Sequence, residues 1–227
     1  MPRRYFYDEV MVKEEKGKTT TDTIWHKVRN IEFTNQLGKK VSLNDARGKI
    51  IVLDFIFTRC PSVCPGLTKN MKELQNAFVK NPDIVQFLSI SIDPEHDSVP
   101  HLRKFADRFN ANHDSWWFVT GHKKDIYDFA FTEIKASVAD TDVDTAFIHT
   151  ENFFVLDTNR VVRGWYNGLD TAELARLAHD IPTLMLEKDK NKPSALRAFI
   201  PVLPIIFAGI GIVILVTIWM NKRREKF

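Results

Sequence analysis

From residue 50 the chain reads Ile-Ile-Val-Leu-Asp-Phe-Ile-Phe, a β-branched and aromatic run that predicts a buried strand over 50–57. Ahead of it, residues 31–43 carry apolar positions on either side of Asn35, Gln36 and Gly38, the pattern of a β-hairpin. Behind it the pattern predicts a helix over 66–79, a strand over 85–92, and a helix starting near Ser98, where Ser98 can cap and Pro100 falls in the first turn. A short strand over 116–120 and a helix over 125–134 follow. Residues 153–156 and 161–165 then flank Asp157-Thr158-Asn159-Arg160, a hairpin turn, and Thr171 opens a last helix with Leu174, Leu177, Ala178, Ile181 and Leu184 at helical spacing. Strand, helix, strand, helix, hairpin, helix is the order of a thioredoxin-like α/β sandwich, here with an N-terminal β-hairpin. There is no internal repeat.

One stretch belongs to a different solvent. Residues 199–220, FIPVLPIIFAGIGIVILVTIWM, contain no charge, and a helix of that length spans about 30 Å of hydrocarbon. Trp219 suits an interfacial anchor, and Pro201, Pro204, Gly209 and Gly211 are tolerated better in lipid than in water. The expected organisation is therefore an N-terminal polar segment (1–25), a thioredoxin-like domain (26–186), a linker (187–198), a C-terminal transmembrane helix in membrane lipid (199–220) and a basic tail (221–227). Lys222, Arg223, Arg224 and Lys226 favour a cytoplasmic C-terminus, although Lys188, Lys190, Lys192 and Arg197 balance them across the span. Residues 1–18 lack the apolar core of a signal peptide, so a domain outside the cytoplasm implies an exporting segment upstream of Met1.

Composition narrows the function classes. The 227 residues are 44% hydrophobic and 27% charged, which excludes a disordered or collagenous chain. A formal charge of +3 is too small a basic footprint for nucleic-acid binding. Only two cysteines occur, Cys60 and Cys64, too close together to staple the fold. They mark a site.

Cys60-Pro61-Ser62-Val63-Cys64-Pro65 sits where the buried strand ends and a helix opens, so a thiol there meets the positive end of the helix and favours thiolate, with Arg59 adding to the effect. The spacing puts the second sulfur about one helical turn from the first, close enough to share a metal or to close a disulfide. Two thiolates suit Cu(I), and an added imidazole suits either copper state. Of seven histidines, His96, His101, His113, His122 and His179 stand in polar surroundings and His26 precedes the hairpin without evident aim. His149 differs, because in a thioredoxin-like fold the connection before the strand at 153–156 faces the cysteine turn. Position alone leaves it open as a ligand or as a hydrogen-bonded core histidine.

Four motifs, in order, resemble the Sco (SenC/PrrC) family of copper-delivery proteins: Asp54 to Pro65, Ser91-Ile92-Asp93-Pro94-Glu95-His96-Asp97-Ser98, Thr120-Gly121, and Phe147-Ile148-His149-Thr150 ahead of Phe154-Val155-Leu156-Asp157. The resemblance spans residues 31–181 and implies one copper ion, Cu(I) or Cu(II), on Cys60, Cys64 and His149. Asp93 is read as shaping the loop near the site. Family members are membrane-tethered with the domain facing the periplasm or intermembrane space, and they help metallate the binuclear copper centre of cytochrome c oxidase subunit II. A C-terminal span departs from their single N-terminal anchor. The resemblance implies a copper chaperone for the subunit II apoprotein, loaded by an upstream copper donor or paired with a thiol reductant. The alternative is a membrane-bound thiol:disulfide reductase whose catalytic pair is Cys60 and Cys64, with Cys60 attacking. A peroxidase lacks support beyond Arg59 and Thr58.

Overall fold

A computed structural model describes residues 2–15, 18–136 and 150–187. The chain divides into two units, 1–186 and 187–227, and the first holds every element described below. Among the described residues there are nine strands: β1 (Tyr7–Glu15), β2 (Lys18–Trp25), β3 (Glu32–Asn35), β4 (Lys40–Ser42), β5 (Ile50–Ile56), β6 (Val85–Ser91), β7 (Trp116–Thr120), β8 (Asn152–Leu156) and β9 (Val162–Asn167). The α-helices among the described residues are α1 (Val63–Ala77), α2 (Val99–Arg108), α3 (Lys123–Asp128) and α4 (Thr171–Met185).

Strands β3 to β9 form one sheet in the order β4-β3-β7-β6-β5-β8-β9. Its centre is parallel, β5 with β6 and β6 with β7, and both flanks are antiparallel. Each parallel pair needs a crossover, which α1 and α2 supply. Every residue of β5 and β6 is buried, as a strand covered on both faces requires. Ile50, Val52 and Ile56 of β5 face an apolar layer with α1, α2 and α4, while Ile51, Leu53 and Phe55 face the layer containing Ile126, Phe129 and Ala130. The period of two along β5 thus decides which side chains lie beneath α1.

The expected hairpin is β3–β4. Asn35 Oδ1 accepts from the Leu37 and Lys39 N–H groups, and Gly38 takes φ +76°, which a side chain would resist. A second hairpin, β1–β2, lies in the segment to which the hydrophobic pattern assigned no element. Its exposed Val10, Val12 and Ile24 and its run of β-branched threonines favour extended backbone without a buried face. The residues before it are tied to β9, with Tyr5 N–H bonded to Val162 O and Arg163 donating to Pro2 O and Arg3 O.

Two helix expectations shift. The helix read from residue 66 begins at Val63, because the turn holding the cysteines is already helical. The helix read over 125–134 is α3 followed by a π-helical turn, Phe129–Glu133. That wider turn sets the Glu133 carboxylate 2.8 Å from the Arg29 N–H, which it accepts.

The expected transmembrane helix requires correction. Among the described residues no helix is long and apolar enough to cross a membrane. The longest, α1 and α4, have 15 residues, about 22 Å of rise against the roughly 30 Å of a bilayer core. Residues 199–220, on which the expectation fell, lie outside the described residues, as do 188–198 and the tail. The fold class is a thioredoxin-like α/β domain with its β-hairpin, and the described residues add no transmembrane helix to it.

The loop between β9 and α4 packs over α1. Asn70 Nδ2 donates to Gly168 O at 2.7 Å, and a Cβ on Gly168 would stand 2.6 Å from Leu67 Cδ2 and 2.8 Å from two Phe153 ring carbons. Leu67 and Phe153 are both fully buried. Gly168→Ala is therefore expected to cost about 1–3 kcal/mol of stability. The cost should appear as a lower midpoint of denaturant unfolding with an unchanged slope.

Candidate metal and dithiol site

The site is built where β5 hands over to α1. After Ile56 the chain turns through Thr58 and Arg59, with Cys60 N–H bonded to Phe57 O at 3.1 Å. Ser62 occupies the N-cap of α1, but its side chain makes no capping bond. The Cys60 sulfur takes that role: it accepts the Cys64 N–H at 3.4 Å and stands 3.8 Å from Ser62 Oγ. Helix N-termini carry unpaired N–H groups and a positive partial charge, so a sulfur placed there is stabilised as an anion. Pro65, in the same turn, brings no N–H of its own.

Both thiols are free and buried, Cys60 to 7% and Cys64 to 2% exposure. Their acidities split. Burial raises the Cys60 thiol, but the Cys64 N–H and thiol and the Ser62 N–H and hydroxyl outweigh it, bringing the pKa down to about 6. Burial dominates at Cys64 and, with the charges of Cys60 and Asp54, pushes it above the ordinary thiol range. One sulfur is thus an anion at neutral pH and its neighbour keeps its proton.

The approach to Cys60 is held by carboxylates. Asp97 is wholly buried and accepts from Thr58 N–H at 3.1 Å, Thr58 Oγ1 at 2.6 Å and Ser91 Oγ at 2.6 Å, clipping the end of β5 to the end of β6. Asp93 accepts from Arg59 Nη2 at 2.7 Å, with His96 Nδ1 at 3.4 Å. Its burial raises its pKa, and Arg59 and His96 more than reverse that, holding it below the usual carboxylate range. The reading of Asp93 as a loop-shaping residue matches this ion pair. Asp54, on β5, is fully buried. Burial pushes its pKa up to about 7, and a hydrogen bond from the Ser89 hydroxyl, its neighbour across the β5–β6 register, partly offsets the penalty.

Cys60 and Cys64 are brought together as their spacing required. His149, the third residue expected, lies outside the described residues. Among those described, no cluster of three His, Cys, Asp or Glu forms a metal site. The donor set present, two buried sulfurs of which one is ionised, fits a soft monovalent cation. Sequence reasoning passed over Asp54 and Asp97. The signal for the first was a lone charge within an otherwise uncharged buried strand.

A family model described as SCO1/SenC matches residues 21–186. The "SCO1 protein homolog" of Bacillus subtilis (strain 168) is 32% identical over 166 residues, covering 73% of this chain and 86% of its own. A solved structure of BsSco, described as having a disulfide switch and as a member of the Sco family of cytochrome c oxidase assembly proteins, is 31% identical. It covers 74% of this chain and 98% of its own, at a TM-score of 0.62. Bradyrhizobium japonicum ScoI, solved with copper bound, covers 70% of this chain and 99% of its own at 24% identity and a TM-score of 0.56, a likeness of fold.

The acidity of Cys60 gives a direct expectation. Its alkylation rate should rise through pH 6, tracking the thiolate, and level off well below the value of about 8.5 at which an ordinary cysteine titrates. Ser62→Ala removes one of the donors and should move the midpoint upward, as measured by iodoacetamide labelling and mass spectrometry.

Proposed function

Because the chain belongs to the SCO1/SenC family, we propose that it is a copper chaperone. It binds one copper ion through Cys60, Cys64 and His149 and delivers it to the cytochrome c oxidase subunit II apoprotein during assembly of the binuclear copper site. The observation that carries this reading is the pair of buried sulfurs at the start of α1, with Cys60 ionised at neutral pH. A thiolate is the form that ligates a soft metal. Two such sulfurs hold Cu(I), and the imidazole of His149 extends the site to Cu(II). Transfer proceeds by stepwise exchange of thiolates between the chain and its partner. The ion comes from an upstream copper donor. The domain works on the outer side of the cytoplasmic membrane, where a pair that cycles through a disulfide meets oxidising conditions.

A second reading has its own support. The split acidity of the cysteines is what a dithiol reductant needs, an anionic attacking sulfur and a protonated one held in reserve. In that reading the chain keeps the copper-ligand cysteines of the oxidase subunit reduced. The two readings share Cys60 and Cys64 and part at His149, since a dithiol reductase has little use for an imidazole.

Anaerobic copper titration of the full chain separates them. Wild type should bind one Cu(I), and Cys60→Ser or Cys64→Ser should abolish it. His149→Ala should retain Cu(I) while losing at least about tenfold in Cu(II) affinity, roughly 1.4 kcal/mol. The redox equilibrium of the cysteine pair should change little. A silent His149→Ala, with Cys60→Ser inactive at any copper supply and rescued by added reductant, would establish the reductase instead.

A further inference from the structure

The β1–β2 hairpin exposes an apolar strand with an open edge. Tyr7, Val10, Val12 and Ile24 are half of the exposed large apolar side chains among the described residues. The two strands form a sheet of their own, and among the described residues β1 pairs with β2 alone. The free edge of a nine-residue strand is a template for another strand, and proteins normally blunt such an edge where it is apolar. On this one Val10 and Val12 stand 45% and 63% exposed, bracketed by Glu9 and Lys13. Inside the hairpin Glu9 stands across from Ile24 and Lys13 from Thr20, so neither charge is matched by its cross-strand neighbour.

Side-chain order along β1 selects the strand that fits. The free side of an antiparallel strand presents the N–H and C=O of alternate residues, so two copies of one strand pair about a two-fold axis that passes through a residue. With the axis at Met11, Val10 meets Val12 of the second copy and Glu9 meets its Lys13, each contact occurring twice. With the axis at Val10, Glu9 meets Met11 and Lys13 meets Tyr7; with the axis at Val12, Val10 meets Glu14 and Glu9 meets Glu15. Of the three, the first alone sets apolar against apolar and acid against base, the pairs that stabilise a sheet. Beyond residue 9 the ladder is bulged, and Asp8, which would otherwise face Glu14 of the second copy, instead accepts from Nδ1 of its own His26 at 2.8 Å. The corresponding stretch of β2, Thr19 to Thr23, carries Asp22 with neither a cation nor a large apolar side chain. We propose that β1 is a self-association strand: two copies of this chain join β1 to β1 antiparallel through residues 9–13, making a four-stranded sheet in the order β2-β1-β1-β2. Five paired residues per copy form a small interface, so the dimer assembles and separates readily.

The test is sedimentation velocity of the full chain in mild detergent, from about 1 μM to about 1 mM, the range in which so small an interface half-associates. Wild type should pass from monomer to dimer across it. Glu9→Lys sets a lysine against Lys13 of the second copy, and Lys13→Glu sets a glutamate against its Glu9. Either change alone should raise the half-association concentration by about tenfold, two attractive pairs having become repulsive. An equimolar mixture of the two variants should associate as wild type does, because each new charge meets its opposite on the other chain. Positions 9 and 13 lie about 13 Å apart along one strand, so that recovery cannot arise within a chain. A wild type that stays monomeric throughout would overturn the proposal. Slow amide exchange at Val10 and Val12 in that monomer would give the edge to another segment of this chain, and fast exchange would leave it to a different protein. Dimers that neither variant weakens, or a mixture no stronger than its parts, would overturn it equally.

Discussion

The hydrogen bond from the Cys64 N–H to the Cys60 sulfur, 3.4 Å long, is the contact on which the site depends. It exists because a buried strand ends one short turn before a helix begins, so that the first sulfur lies over the unpaired N–H groups of that helix. Cys60 replaces the side-chain cap that Ser62 does not make. The anion is favoured at one sulfur only, since Cys64 lies within the helix and meets no comparable set of donors. The spacing of three residues between the cysteines is thereby converted into a difference in acidity.

That junction would be loose without its surroundings. Asp97 accepts three hydrogen bonds while wholly buried, and these join the turn after β5 to the end of β6. Such charge-assisted bonds are about twice as strong as neutral ones, and removing the acceptor would strand two hydroxyls and an N–H. Ile92 N–H bonded to Ile56 O ties the same two strand ends through the backbone. Below, the layer of Val52, Ile56, Leu67 and Met71 keeps water from the sulfurs and strengthens every charge interaction there.

Much of this was legible in the chain. The continuous apolar run at 50–57, the helix periodicity of 171–184 and the turn chemistry of Asn35 and Gly38 each encode their element locally, and β5, α4 and β3–β4 appear where those signals stand. The β1–β2 hairpin was not legible, because its strands are exposed on both faces and leave no alternation to read. The early start of α1 at Val63 was not legible, because Ser62 makes no side-chain cap and the Cys60 sulfur, which accepts the Cys64 N–H instead, is no ordinary capping signal. Of the site, the two cysteines follow from spacing and setting. The settings of Asp54 and Asp97 do not, since only the folded chain shows that Asp97 clips the turn after β5 to the end of β6 and that Asp54 faces Ser89 across the sheet.

The split acidity of the two cysteines bears on how one pair of sulfurs can serve both a cation and a disulfide. Holding a soft cation with two thiolates and closing a disulfide have one requirement in common: the proton on Cys64 must leave. Burial opposes its departure, and the negative charge of Cys60 opposes it further. A resting pair with one proton is therefore halfway to either product.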